Sequence, residues 1–285
     1  EEEYLFVPTF PIDVAILRGT VADKNGSISM RNEALLIDNM AQAMAAKNSG
    51  GIVIVQVEQA IQELLPSRQV DIPAGLVDFL VIGQLNKSEK NDELDASYLI
   101  FDVVRERMIH RGNVVGPIAS IRKIGHKISD KIYLKTQGRP GIFSTKIAYI
   151  DKPSSLDPSY NLMISDLDGF DSISLFSSPQ PLMSPSWSPD MKSIAYVSFE
   201  EGTSRIFIQE LSNAKRRGLK LEKGINSSPN WSPDGKKISA VLSKSGNPDI
   251  YLYDLNSSNW IQLTTHFGID TEPDWSPNSK KLIFF

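Results

Sequence analysis

An α/β N-terminal region followed by an all-β, incomplete β-propeller is the fold class this sequence predicts. Two observations predict the propeller. Trp187, Trp231 and Trp275 each lead into a Trp-Ser-Pro turn and stand 44 residues apart, twice. Four apolar rows keep that step: Leu162, Ile206 and Ile250; Ile164, Ile208 and Leu252; Leu167, Leu211 and Leu255; Leu175, Leu219 and Leu263. A period of about 40–45 residues holding several short strands is the signature of a propeller blade. A third observation sets the beginning apart, because residues 10–58 read as apolar run, helical spacing, apolar run.

In chain order, "IDVAILRGTVA" is the first β-type run, and Asp23 to Gly26 form a turn. "NEALLIDNMAQAMAAKN" has helical spacing, with Leu35, Ile37, Met40, Ala41, Met44 and Ala45 expected on or near one face. Asn48 to Gly51 end that helix, as glycine does past a C-terminus. "GIVIVQV" is a continuous apolar strand of the buried parallel type, which completes a β-α-β unit. Leu76 to Leu85 is expected to be a further strand and "NKSEKNDE" a solvated turn. Tyr98 to Val104 reads as a strand, and about 117–136 as an amphipathic helix ending at Gly138.

Within each repeat, Trp closes a first strand and Ser-Pro-Asp(-Gly) makes the turn. Proline presets φ at the second turn position, and Asp, Asn or Gly accept the positive φ that follows. A second strand comes next ("SIAYV", "KISAVL"), then a polar turn, an alternating third strand ("RIFIQEL", "DIYLYDL") and a short fourth around Leu263. On this reading the Trp is buried and the motif builds blades without doing chemistry.

Composition narrows the function. The 285 residues are 41% hydrophobic and 22% charged, with net charge −4, so neither disorder nor a polyanion partner is indicated. Lys215, Arg216, Arg217, Lys220 and Lys223 form the one basic cluster, expected in a solvated strand-to-strand turn. Cysteine is absent, which excludes thiol catalysis, disulfides and Cys-ligated metal. No apolar run approaches the roughly 18 residues that a membrane helix needs. His110, His126 and His266 lack metal-ligand spacing, and no G-x-S-x-G elbow is present. Asp166, Asp168 and Asp171 lack the Gly and Glu that a calcium loop requires and read as a β-turn.

From about Leu76 to Phe285 the chain resembles TolB proteins of the Tol–Pal envelope system. The resemblance rests on "FDVVRERM", "HKISDKIYLKTQGRPGIFSTKIAYI", "ISDLDGFD" and "SSPQPLMSPSWSPDMKSIAYVSFE". It implies an α/β domain before a six-bladed propeller, a periplasmic location, no enzymatic activity and no cofactor. The implied partners are the lipoprotein Pal, on the propeller, and TolA, on the N-terminal region. No nucleic acid, membrane insertion or small-molecule substrate is expected.

From about Glu3 to Ile82 the chain resembles a family I coenzyme A transferase, through "EYLFVPTFPIDVAILRGTVADKNGSIS", "EALLIDNMAQAMAAKNSGGIVIVQVEQ" and "LPSRQVDIPAGLVDFLVI". That family works through a catalytic glutamate in a later part of its fold. Glu33, Glu58 and Glu63 do not match it, so the acyl-CoA:acetate/3-ketoacid transferase reading, which would imply a cytoplasmic location, finds no catalytic residue in this chain. The two resemblances overlap at Leu76 to Gly83. Together they imply a chimera truncated at both ends and without a signal peptide. The implied divisions are a transferase-like fragment at 1–75, a TolB N-terminal-like remnant at 76–144 and a partial propeller at 145–285, about three of six blades. An open propeller of that size is expected to be sticky or unstable, because it leaves strand edges and apolar faces uncovered.

Loops leading into the innermost strands gather at one end of a propeller. Here they are Ser178 to Pro185, Lys223 to Pro229 and Phe267 to Pro273. By the TolB resemblance this end meets Pal, and Gln180, Ile225, Ser228, Thr271 and Glu272 are the partner-facing candidates.

Overall fold

The computed structural model describes residues 10–36, 38–88, 92–154 and 158–285. The chain divides into two compact units, Glu1–Ser144 and Thr145–Phe285.

The first unit is built on a six-stranded sheet in the order β2-β1-β3-β4-β5-β6. Its strands are β1 (Val14–Ala22), β2 (Ile28–Ser29), β3 (Ile52–Ala60), β4 (Phe79–Lys87), β5 (Glu93–Asp102) and β6 (Arg107–Pro117). β1, β3 and β4 run parallel, and β2, β5 and β6 join antiparallel. Helix α1 (Asn39–Asn48) makes the crossover from β1 to β3. It packs on the face carrying Leu17, Val53, Val55, Val57 and Leu80. Helix α2 (Ile121–Gln137) packs beside β5 and β6 through Ile124 against Leu94 and Ala96. Gly138, at φ 70°, ends α2 in the left-handed conformation.

Three sequence expectations are corrected here. The buried face of α1 is Ala43 and Ala46, while Leu35, Met40 and Met44 are exposed and Ala41 lies outside the core; Ile37 lies outside the described residues. The helix starts only at Asn39, after the left-handed Asp38, and methyl side chains let it approach the sheet more closely than methionines would. Second, the strand expected from Leu76 starts at Phe79, because Ala74–Leu76 closes into a single 3₁₀ turn after Pro73. Third, β6 was not anticipated. As an edge strand packed by α2 on one side, it mixes Arg107, His110 and Arg111 with apolar residues and so lacks a clean alternation.

The second unit is a series of antiparallel meanders. The first holds β7 (Lys146–Asp151), β8 (Tyr160–Asp166) and β9 (Ile173–Ser178). Two four-stranded sheets follow: β10 (Leu182–Trp187), β11 (Ser193–Ser198), β12 (Arg205–Glu210) and β13 (Arg216–Gly218), then β14 (Asn226–Trp231), β15 (Lys237–Leu242), β16 (Asp249–Asp254) and β17 (Asn259–Gln262). A hairpin, β18 (Asp274–Trp275) with β19 (Leu282–Ile283), comes last. No sheet among the described residues closes on itself.

The sheets are covered face to face. Leu162, Ile164, Tyr196 and Phe207 form one inter-sheet core, and Val197, Ile206, Ile208, Ile238 and Tyr253 form the next. The β10–β13 sheet is therefore buried on both sides, which explains the unbroken apolar run of β11. Leu263, just past β17 in the row with buried Leu219, is instead 47% exposed: among the described residues it joins no buried core. Trp187 and Trp231 are half-buried rather than buried; their rings pack at the edge of the two cores.

Candidate functional site

The innermost strands β10, β14 and β18 carry the candidate surface. Ser184, Ser228 and Glu272 stand one repeat apart with φ of 50°, 46° and 49°. Each precedes a proline: Pro185, Pro229 and Pro273. Residues before proline normally take extended backbone, and non-glycine residues in the left-handed region cost about 1–2 kcal/mol. The same strained geometry, held three times, is a built feature. In β10 and β14 it coincides with a shift of strand register, between Met183 and Ser186 and between Ser227 and Asn230. A bulge of this kind bends the strand and re-aims its side chains.

The re-aimed side chains meet across blades. Ser228 Oγ donates to Glu272 Oε1 at 2.9 Å, and Asn230 Nδ2 donates to Asp274 Oδ1 at 3.1 Å. The Trp275 indole N–H donates to the Asn230 carbonyl at 3.2 Å. Among the five expected site residues, Ser228 and Glu272 are thus brought together. Gln180 is exposed, with its backbone N–H on Ser178 Oγ at 3.0 Å. Ile225 presents a half-exposed side chain while its N–H holds Ser243 Oγ at 2.7 Å. Thr271 is tied by its backbone to Phe285 in both directions, at 2.8 and 3.0 Å. Ser184, Asn230 and Asp274 belong to the same rows and were missed. The available signal was the residue before each repeat proline and the residue before each repeat Trp.

The Trp-Ser-Pro turns are wired identically. Ser188 Oγ donates to Asp190 Oδ1 at 2.6 Å, Ser232 Oγ to Asp234 Oδ1 at 2.7 Å, and Ser276 Oγ to Asn278 Oδ1 at 2.9 Å. The lysine two residues on adds its backbone N–H to the same oxygen, at 3.1, 3.0 and 3.1 Å. The serine bond is the chief reason that the Asp190 and Asp234 carboxyls titrate below their ordinary value.

Most of the basic cluster is solvated as expected, with Lys215, Arg217, Lys220 and Lys223 exposed, but Arg216 is not. Arg216 to Gly218 is strand β13, and the Arg216 guanidinium lies 3.6 Å from the Phe176 ring centroid and 4.7 Å from that of Phe207. Its NH2 bonds Glu200 Oε1 at 3.0 Å. A planar cation flanked by aromatic rings joins the first two sheets. Burial pushes the neighbouring Tyr196 hydroxyl up to about 12. Asp166 and Asp171 do flank a turn, with the Gly169 N–H on the Asp166 carbonyl at 2.9 Å. Among the described residues no group of three His, Cys, Asp or Glu could hold a metal ion, and no helix is long and apolar enough to cross a membrane.

Residues 133–285 match the family model of the TolB beta propeller domain (PD40). The chain is 36% identical over 207 residues to the Tol-Pal system protein TolB of Methylococcus capsulatus, covering 70% of this chain and 48% of that protein. Among solved structures, TolB from Acinetobacter baumannii superposes with a TM-score of 0.71 at 30% identity, covering 97% of this chain and 66% of that one. An acyl-CoA transferase from E. coli O157:H7 is 34% identical over 26% of this chain and 15% of that one, with a TM-score of 0.25, too low to bear on the fold. The chain spans about half or less of the length of the curated relatives it matches.

Proposed function

Because this chain belongs to the TolB β-propeller domain family, we propose that its second unit is a non-enzymatic docking surface of a Tol–Pal system in the periplasm. The partner on the propeller is Pal, and TolA engages the N-terminal unit. The observation that carries this reading is the row of left-handed residues Ser184, Ser228 and Glu272, whose backbone strain re-aims polar side chains at one end of the innermost strands. Gln180, Ile225, Ser228, Thr271 and Glu272 are the residues that touch the partner. Ile225 supplies an apolar anchor, and the Ser228–Glu272 pair supplies hydrogen bonds at its rim.

The test is capture of purified Pal by the full chain, followed by Ile225→Ala and Glu272→Ala. Loss of about tenfold or more in affinity with each variant supports the assignment. Undiminished capture by both moves the partner surface elsewhere, and no capture at all removes the scaffold reading.

A finer reading concerns origin: residues 1–75 are a transferase-like fragment joined at about Leu76 to a TolB-like chain. Acyl-CoA exchange by the purified protein would favour the transferase alternative over the scaffold.

A further inference from the structure

The docking role leaves the first unit's second sheet face unexplained. α2 covers that face beside β5 and β6. Among the described residues the face stays open over β1, β3 and β4, and a cleft of about 690 Å³ lies between it and α2. Val14, Ile16 and Ile54 form one wall, and Ile132, Tyr133 and Phe143 the other. Ile16 is 73% exposed, an unusual state for isoleucine in the middle of a strand.

One end of the cleft is polar. Arg18 pairs with Gln56 across β1 and β3, and Glu58 follows two residues on. Arg18 Nε holds Glu33 at 3.0 Å and its NH2 holds Glu58 at 2.9 Å. One guanidinium between two carboxylates leaves this end with one net negative charge. Arg18 is already engaged on two sides, whereas Glu58 is 53% exposed.

Two glycines border the same space. Gly83 lies within β4 and Gly125 within α2, and a Cβ at either would meet nothing within 4 Å. Neither has a positive φ, and neither is crowded by protein. Glycine inside a strand or helix is disfavoured and often marks close approach by a ligand.

We propose that this cleft binds an elongated apolar molecule with a cationic head, of the long-chain alkylammonium class. The alkyl body lies against Ile16, Ile54 and Ile132, passing over Gly83 and Gly125, and the ammonium sits at Glu58. Size selects a small molecule over a peptide helix. Ligand sites span roughly 300–1,000 Å³. A ten-residue helix fills a cylinder of roughly 1,200–1,700 Å³ and would stand mostly outside. Charge selects the head: an alkyl carboxylate would meet Glu33 and Glu58 rather than a free cation.

Calorimetric titration of the full chain with dodecylammonium and with dodecanoate, each below its micelle concentration, tests this. The amine should bind about tenfold tighter or better. Gly83→Leu and Gly125→Leu each place a side chain in the open space and should weaken amine binding about tenfold or more, with the melting temperature held. Using one strand variant and one helix variant keeps the test standing if either fails to fold. Glu58→Gln should shrink the amine preference to about twofold. No amine binding, equal binding of the two amphiphiles, tighter binding of the carboxylate, or unchanged binding by the filled variants would overturn the proposal.

Discussion

Ser228 Oγ donates to Glu272 Oε1 at 2.9 Å, joining residues that occupy the same place in successive blades. Both hold a left-handed backbone just before a proline, and so does Ser184. The backbone, not the side-chain bond, is the larger energetic feature. An exposed hydrogen bond to a carboxylate contributes about 0–1 kcal/mol, while each left-handed residue costs about 1–2. Glu272→Ala should therefore lower stability by about 1 kcal/mol or less in urea unfolding, which leaves it usable as a binding variant.

The strain can be tested at Ser184, whose position needs φ of 50°. Ser184→Gly removes the strain but enlarges the freedom of the unfolded chain, and these effects of about 1 kcal/mol each nearly cancel. Ser184→Val, β-branched in a left-handed position, should cost about 2 kcal/mol. Chemical denaturation of the two variants, read against the parent, gives the difference directly; equal stability of the two would show that the bulge relaxes freely.

Arg216 predicts a loss that charge alone does not explain. Its guanidinium is 3.6 Å from the Phe176 centroid, and its side chain is only 23% exposed. Arg216→Ala should destabilise the second unit by about 2–3 kcal/mol, because it removes the stack and leaves Glu200 without its partner. Arg216→Lys should restore less than half, since an ammonium lacks the planar face. Full rescue by lysine would reduce the contact to a simple ion pair.

The Trp-Ser-Pro turns predict a response to acid. Asp190 and Asp234 titrate below their ordinary 3.8 because the ionised form accepts hydrogen bonds in the fold. A depressed folded value means that the stabilisation is complete above the unfolded value. It is lost as pH falls below about 4 and through the folded value. The third turn already has Asn278, so it carries no such dependence. The double variant Asp190→Asn/Asp234→Asn should show a shallower decline of melting temperature between about pH 5 and 2.5. An unchanged acid limb would assign the loss to other carboxylates.

Gly51 predicts a severe effect for a small change. A Cβ there would lie 2.2 Å from the Ile12 carbonyl oxygen and 2.6 Å from that of Asp13, both backbone atoms. Gly51→Ala should therefore cost about 3 kcal/mol or more, or prevent folding of the first unit, whereas Gly50, in open space at φ 76°, should tolerate Asn. Circular dichroism melts of both variants distinguish the two glycines.

Much of the second unit was legible because its repeats state each position three times. The rows through Leu162 and Ile164 became core, and the strand order followed from consecutive hairpins. What escaped notice there was side-chain use in three dimensions. Arg216 reads as one more lysine-like charge until Phe176, 40 residues earlier, is placed beneath it. In the first unit each position occurs once. The α1 spacing suggested that methionines face inward, yet close contact with the sheet favoured Ala43 and Ala46. The open cleft beside α2 could not be read at all, since it depends on which half of a sheet face one helix covers.

Pairing by consecutive hairpins also governs the order in which the chain can assemble. In the second unit every paired strand has its neighbour close in sequence, so loop closure is short and each meander can form soon after its residues leave the ribosome. In the first unit β1 must wait for β3, some 38 residues later, before Val14 finds Ile52. The same molecule thus joins a slow, non-local sheet to a series of quick local ones, with the slow one synthesised first.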